Sequence, residues 1–158
     1  MRPGGGAGLL WVVTTHLSHL GGSEEQRGQA RELVAWCDAL REENGAAVVL
    51  CGDMNSTPAP PRYPASGRYP REGAWHVITG SGGWHDCWEL AHGAGDTGGL
   101  TCPAKAPRMR IDQFFTPADD DRLQVVGVRL FPCRFPVQHL GDDLGSGTHE
   151  SANGRRWR

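Results

Sequence analysis

The stretch Ala46-Ala-Val-Val-Leu-Cys-Gly-Asp-Met-Asn55 joins a short apolar run to two polar residues of catalytic type. Residues 46–51 contain no polar interruption, which predicts a strand buried on both faces. Asp53 and Asn55 follow at a separation of two, and extended backbone would point both side chains the same way. This stretch therefore predicts a buried strand that delivers two polar side chains to one edge of a sheet.

An earlier segment repeats this design. Residues 8–16 read Gly-Leu-Leu-Trp-Val-Val-Thr-Thr-His, a second apolar run that predicts a strand buried on both faces and ends at His16. Between the two runs, Ser23 and Gln26 have the spacing of a capping box, and apolar residues recur at helical spacing, which predicts a helix over 23–43. The order strand, helix, strand predicts an α/β fold whose crossover would normally be right-handed.

The remainder of the chain contains fewer regular elements. Five prolines within residues 56–73 predict a surface loop. Order is expected to return at 74–79 and at 86–91. Two further strands are predicted over 110–116 and 123–131, separated by an acidic turn.

Length and charge limit the possible functions without selecting one. The chain has 158 residues, enough for one domain, and 16 Lys and Arg against 18 Asp and Glu, a net charge of -2. This balance argues against binding a polyanion by bulk charge, and the apolar run over 9–13 is far shorter than the ~20 residues that a bilayer span needs. Five cysteines without a C-x-x-C pair favour reduced thiols. We therefore expect an intracellular protein without a membrane span, in either the nucleus or the cytoplasm.

Polar residues of catalytic type lie at the ends of the predicted strands. His16 closes the first strand, Asp53 and Asn55 close the second, and Asp112 lies inside a later one. Each has a simpler interpretation: Asp53 and Asn55 could shape a turn, and His16 could be a hydrogen-bonded strand end. Asp112 in an aromatic strand would need a partner, which could be Arg110, Arg108 or a histidine. Their joint occurrence favours a functional site at the edge of an α/β sheet.

Three ordered motifs, Thr15-His16-Leu17, Gly52-Asp53-Met54-Asn55 and Arg110-Ile111-Asp112, resemble those of the endonuclease/exonuclease/phosphatase superfamily. Its members are metal-dependent phosphodiesterases with a DNase I-like fold. Residues 26–29 resemble an Arg and Gln segment of many members, and residues 86–89 and 131–141 are similar to the tyrosyl-DNA phosphodiesterase branch.

The resemblance implies a four-layer α/β/β/α sandwich. We expect a partial domain over residues 8–141 that lacks the N-terminal half of the family fold, followed by a flexible tail over 142–158.

The resemblance also implies a role for each motif residue. His16 would contact the scissile phosphate, Asp53 would orient or deprotonate the attacking water, and Asn55 would hold a phosphate oxygen. His139 would stabilise charge on the phosphoryl group, and Asp112 would fix its tautomer, because a carboxylate bonded to an imidazole sets which nitrogen faces the substrate.

The expected cofactor is Mg²⁺ or Mn²⁺, by resemblance to the family. The metal-binding Glu of the family comes from its N-terminal half, and Gln138 stands where the family has an Asp, so it would be a weak, uncharged oxygen ligand. Trp88 would bind substrate by packing against a base or an aromatic leaving group, although a core tryptophan is equally expected.

Three functions remain open from the sequence. The first is hydrolysis of a phosphodiester in nucleic acid, such as a 5′-tyrosyl or similar adduct at a DNA end. The second is a catalytically silent fragment that binds a partner or has no role. The third is a superfamily member that acts on inositol phosphates, lipids or RNA. The sequence does not specify an oligomeric state.

Overall fold

The computed structural model describes residues 9–20, 24–58, 73–80 and 83–131. The predicted helix over 23–43 is confirmed to within one residue, although Ser23 of its proposed capping box lies outside the described residues. The segment that would hold Gln138 and His139, and the tail over 142–158, also lie outside them. The elements in chain order are β1 (Leu10–His16), α1 (Glu24–Asn44), β2 (Ala47–Asp53), α2 (Ala74–Gly80), β3 (Trp84–Asp86), α3 (Cys87–His92) and β4 (Asp112–Pro117).

The four strands form one mixed sheet in the order β1-β2-β4-β3. β1 and β2 are parallel and joined through α1, whereas β4 is antiparallel to both β2 and β3. This arrangement confirms the predicted α/β fold. Within the described ranges, no helix is long and apolar enough to cross a membrane.

One face of the sheet is packed against α1 and α2. Val13, Leu50 and Phe115 are in register across β1, β2 and β4 and are 7%, 0% and 0% exposed. They belong to the same buried cluster as Cys37 of α1 and Ile78 of α2. Burial of a side chain of this size contributes roughly 1.5–3 kcal/mol, so this face supplies most of the apolar stabilisation of the sheet.

The opposite face of the sheet, the open face, is exposed at β1 and at Phe114 of β4, whereas Thr116 on the same face is buried. Leu10, Val12 and Phe114 lie on it and are 51%, 61% and 49% exposed. The prediction that the first strand is buried on both faces is therefore wrong. β1 is an edge strand of the described sheet, and an apolar run alone cannot distinguish an edge strand from one covered on both sides. The second sheet of the expected four-layer sandwich is not among the described residues.

Residues 123–131 are not a strand, which contradicts the second late-strand prediction. Val126 and Phe131 in this segment are 91% and 85% exposed. A β-branched composition favours a strand only where a neighbouring strand and a buried face are available. This segment has neither in the described part of the chain, and one of its contacts is the 2.9 Å hydrogen bond between the Val128 carbonyl oxygen and His92 Nε2.

Gly52 of β2 is in register with Thr15 of β1. Gly52 has a φ of 136°, and a Cβ atom there would lie 1.9 Å from the carbonyl oxygen of Thr15. Only glycine fits this backbone, because it lacks the Cβ that would both clash and disfavour a positive φ. Close packing of the backbone therefore requires glycine at the position before Asp53.

We expect Gly52→Ala to lower the free energy of unfolding by at least about 2 kcal/mol, because it adds a steric clash to backbone strain. Gly28→Ala is the matched control: Gly28 lies within α1 with no atom within 4 Å of an added Cβ. This control should raise the stability by about 0.5–1 kcal/mol. Urea denaturation measures both changes, and equal effects of the two substitutions would contradict the packing argument.

Asp120 and Arg122 form an ion pair in the turn after β4, and Arg122 connects this turn to the residues just before β2. The carboxylate of Asp120, whose side chain is 1% exposed, accepts hydrogen bonds from Arg122 Nε at 2.7 Å and from Arg122 Nη2 at 2.6 Å. Arg122 also donates to the carbonyl oxygens of Gly45 and Ala46. The hydrogen bonds from Arg122 hold the pKa of Asp120 below its ordinary value.

This lowered pKa predicts a pH-dependent contribution to stability. A carboxyl group whose pKa is depressed in the folded state contributes stability that is present above its unfolded pKa and is lost as the pH falls through its folded pKa. Asp120→Asn should therefore lower the urea midpoint near neutral pH, and the difference from the parent should shrink in acid. Asp121→Asn, at an exposed neighbouring position, is the control. A difference that stays constant from neutral to acidic pH would be evidence against the linkage.

Candidate active site

Three of the sequence-predicted residues form a row across the sheet. His16 of β1 is in register with Asp53 of β2, and Asp53 is in register with Asp112 of β4. Because alternate residues point to opposite faces, all three side chains lie on the open face, in line with Val12 and Phe114. The expectation that these residues meet at one edge of the sheet is met by the fold.

The imidazole of His16 lies beside the carboxylate of Asp53. Nε2 of His16 is 3.6 Å from Oδ2 of Asp53, beyond a direct hydrogen bond but within ion-pair range when the histidine is protonated. The side chain of His16 is 72% exposed and that of Asp53 is 27% exposed. The imidazole is therefore accessible to a ligand, whereas the carboxylate is partly shielded.

Asp53 and Asn55 build the turn that ends β2. Oδ1 of Asp53 accepts a hydrogen bond from the backbone N–H of Asn55 at 2.9 Å. Asn55 adopts a φ of 45° and is 4% exposed, and its Nδ2 donates to the carbonyl oxygen of Leu17 at 2.9 Å. Asparagine tolerates this left-handed conformation better than most residues. The amide of Asn55 thus ties the ends of β1 and β2 together, and its role in holding a phosphate oxygen stays a prediction.

The side chain of Gln26 in α1 holds the segments that follow β1 and β2, a role that the sequence did not predict. Its side chain is fully buried, and Nε2 donates to the carbonyl oxygens of Ser18, Met54 and Asn55 at 2.8, 3.3 and 3.0 Å. Oε1 accepts from the N–H of Ala74 at 3.2 Å. One side chain of α1 therefore joins the segments that follow β1 and β2 to the start of α2. Two patterns in the sequence include Gln26, the capping box with Ser23 and the family-like run over 26–29, and neither predicts this role.

Asp112 differs from its prediction. It was expected inside a strand with a partner such as Arg110, but it is the first residue of β4 and is exposed. An exposed carboxylate is solvated by water and requires no partner. Arg110 instead pairs with Asp86, with Nη1 2.7 Å from Oδ2. His139, the other expected partner, lies outside the described residues, so the pairing of Asp112 with His139 stays a prediction.

Trp88 lies in α3 and is held in a packed cluster. Its ring stacks on His92 with 4.0 Å between centroids, and Nε1 donates to Asp96 Oδ1 at 2.8 Å. A Cβ added to Gly99 would lie 2.7 Å from the ring. The ring is half-buried, and its proposed contact with substrate is not tested by this geometry.

The described residues do not complete a metal site. They contain no group of three or more His, Cys, Asp or Glu side chains placed to hold a metal ion. Asp53 and Asp112 could offer carboxylate oxygens, but Mg²⁺ requires near-octahedral coordination by six oxygens, including water. No step of the chemistry below is therefore assigned to a metal.

The opposition of Asp53 and Asp112 predicts a cost in stability. Like charges directly opposite each other on neighbouring antiparallel strands are destabilising by roughly 0.2–1 kcal/mol. Asp112→Asn should therefore raise the free energy of unfolding near neutral pH by about this amount. The gain should shrink when salt is added to the urea titration. Asp121→Asn, which has no cross-strand carboxylate, should give no comparable gain; equal effects of the two substitutions would contradict the proposed repulsion.

Comparison with known proteins gives matches in a family model and in solved structures. Residues 2–135 match the model of the Endonuclease/Exonuclease/phosphatase family. A mannosyl-6-phosphatase from Bacteroides thetaiotaomicron is similar at 16% identity and a TM-score of 0.48, over 68% of this chain and 37% of that one. TDP2 from Caenorhabditis elegans is similar at 21% identity and a TM-score of 0.41, over 68% of this chain and 32% of that one. No curated protein sequence matches.

The chain spans about a third of the length of these solved structures. The family model, by contrast, covers most of the chain and includes β1, β2 and β4 with the three motifs that contain His16, Asp53 and Asp112. On this match, the chain belongs to the Endonuclease/Exonuclease/phosphatase family.

Proposed function

We propose that this chain is part of a metal-dependent phosphodiesterase. Among the residues that the structure describes, His16, Asp53 and Asp112 are the proposed catalytic groups. The observation that carries the proposal is the row of these three side chains on the open face, with His16 Nε2 3.6 Å from Asp53 Oδ2. An imidazole beside a carboxylate can move or hold a proton, and hydrolysis of a phosphodiester needs such a group next to the attacking water.

Asp53 is the proposed group that orients and deprotonates the water. Its Oδ1 is fixed by the N–H of Asn55, and Oδ2 lies towards His16. A carboxylate held in this way presents an acceptor in one direction, which reduces the entropy lost when the water is aligned. His16 is exposed beside it and is the proposed contact to a phosphate oxygen, which it would bind most strongly when protonated.

Asp112 adds a second negative charge opposite Asp53. Two carboxylates repel a phosphodiester, so the proposed activity requires positive charge near the row. Divalent metal ions supply such charge in phosphoryl transfer. His139 beside Asp112 and Gln138 as a weak metal ligand belong to the same proposal, and both positions lie outside the described residues. The assays below therefore include Mg²⁺ or Mn²⁺.

The proposed substrate is a DNA end that carries a 5′-tyrosyl or similar phosphodiester. Its support is the similarity of residues 86–89 and 131–141 to the tyrosyl-DNA phosphodiesterase branch. Trp88 lies against Arg110, with the guanidinium carbon 6.0 Å from the ring centroid, and Arg110 is two residues before Asp112. An aromatic side chain is suited to pack against a base or a tyrosyl group.

We expect this chain to hydrolyse a 5′-tyrosyl oligonucleotide in the presence of Mg²⁺ or Mn²⁺. Asp53→Asn should lower the rate by about 10²–10⁴-fold, the usual contribution of a general base. The matched control is Asp121→Asn, which removes one carboxylate at an exposed position away from the row and should keep the parent rate. Release of tyrosine or of the 5′-phosphorylated strand measures the reaction.

The outcomes separate the three candidate functions. Equal rates for the parent and Asp53→Asn would reject hydrolysis by this site and favour a silent fragment that binds a partner or has no role. Cleavage of bis(4-nitrophenyl) phosphate but not of the tyrosyl oligonucleotide would keep the phosphodiesterase and reject the DNA-end substrate. A branch that acts on inositol phosphates, lipids or RNA would then be favoured.

A further inference from the structure

Arg110, two residues before Asp112 in the chain, forms a buried ion pair with Asp86. Arg110 and Asp86 have side chains that are 4% and 0% exposed, and Nη1 of Arg110 contacts both carboxylate oxygens of Asp86, at 2.9 and 2.7 Å. Arg110 is two residues before Asp112 and belongs to the segment that enters β4. The pair is therefore placed to determine where β4 begins.

Asp86 connects three elements to this pair. Its Oδ2 accepts a hydrogen bond from Trp75 Nε1 of α2 at 2.7 Å, and its Oδ1 accepts one from the N–H of Trp88 at the start of α3 at 2.8 Å. Asp86 itself ends β3 and caps α3. A carboxylate with this many donors has little freedom to move, so Arg110 is bound to a fixed point.

The backbone of the same segment is attached to the end of β2. The carbonyl oxygen of Ile111 accepts from the N–H of Met54 at 2.8 Å, immediately after Asp53. Gln113 Nε2 donates to the carbonyl oxygens of Arg110 and Ser56, at 2.8 and 2.6 Å. The side chain of Arg110 thus fixes one side of the segment, and the chain after Asp53 fixes the other.

Stability alone does not explain this pair. Removing two charges from water is costly, and apolar residues of similar volume often stabilise a core equally well. One nitrogen of the guanidinium, Nη2, is buried without a hydrogen-bond partner among the described residues, which adds to the cost.

We propose that Arg110 and Asp86 are positioning residues that hold Asp112 opposite Asp53. The catalytic consequence rests on the proposed function, but the placement of Asp112 does not. The inference is therefore tested once through stability and once through turnover.

The stability experiment uses the repulsion expected between Asp53 and Asp112 to report whether the two carboxylates are close together. In the parent chain, Asp112→Asn relieves this repulsion and raises the urea midpoint. In an Arg110→Met background, Asp112 is released, and the rise should be lost. In an Arg108→Met background, which removes an exposed arginine two residues away, the rise should persist. A rise of equal size in all three backgrounds would overturn the proposal, because a pair that only stabilises the fold gives additive effects.

Arg110→Met leaves Asp86 buried without its partner and could unfold the chain. Arg110→Lys is therefore the second variant, since it keeps the charge but replaces the planar guanidinium by a flexible ammonium. We expect it to fold and to show a smaller rise than the parent. A full parent-sized rise in Arg110→Lys, when Arg110→Met does not fold, would overturn the proposal.

The turnover experiment follows hydrolysis of the 5′-tyrosyl oligonucleotide with Mg²⁺. Arg110→Met should lower kcat on the order of 10²-fold, as misplacement of a catalytic group by about 1 Å does, with KM little changed. Arg110→Lys should recover part of kcat, and Arg108→Met should match the parent. A higher KM at unchanged kcat would overturn the positioning role. A parent chain without activity would reject the proposed function, and the stability experiment would then decide this inference by itself.

Discussion

The close approach of β2 to β1 at Gly52 is the constraint on which the rest of the site depends. No side chain fits between Gly52 and the carbonyl oxygen of Thr15, and the register of the two parallel strands places their last residues opposite each other. The next residue of each strand is His16 or Asp53. Their proximity therefore follows from backbone packing, and the side chains themselves do not have to attract each other across 3.6 Å.

Buried polar groups then hold the chain where the strands end. Gln26 and Asn55 are 0% and 4% exposed, and both use amide groups to bind backbone carbonyls that a turn would otherwise leave unpaired. An unpaired buried carbonyl is costly, so these bonds specify one geometry for the turn after Asp53. On the other side of β2, the ion pair of Arg110 with Asp86 lies beside the segment that enters β4. The row of His16, Asp53 and Asp112 is thus supported by two buried amide side chains and one buried ion pair.

Much of this arrangement could be predicted from local patterns, and the failures have a common cause. The α1 helix and β2 were predictable because their periodicity and apolar runs are local properties of the sequence. The location of His16, Asp53 and Asp112 at one edge followed from strand order. The exposure of β1 and the lack of a strand over 123–131 depend on which neighbours are present, and no local pattern records neighbours.

The pairing of Arg110 with Asp86 could not be predicted from local patterns either, because 24 residues separate the two residues. On the sequence alone the partner of Asp112 could be Arg110, Arg108 or a histidine, and no local pattern indicates that Arg110 pairs with Asp86. Asp112 lies opposite Asp53 across the two strands, an arrangement in which like charges repel each other. The hydrogen bond from Met54 to Ile111 and the ion pair of Arg110 with Asp86 hold the segment on either side. Two carboxylates in this position attract cations, and a cation beside them would offset the negative charge that both present to a phosphodiester.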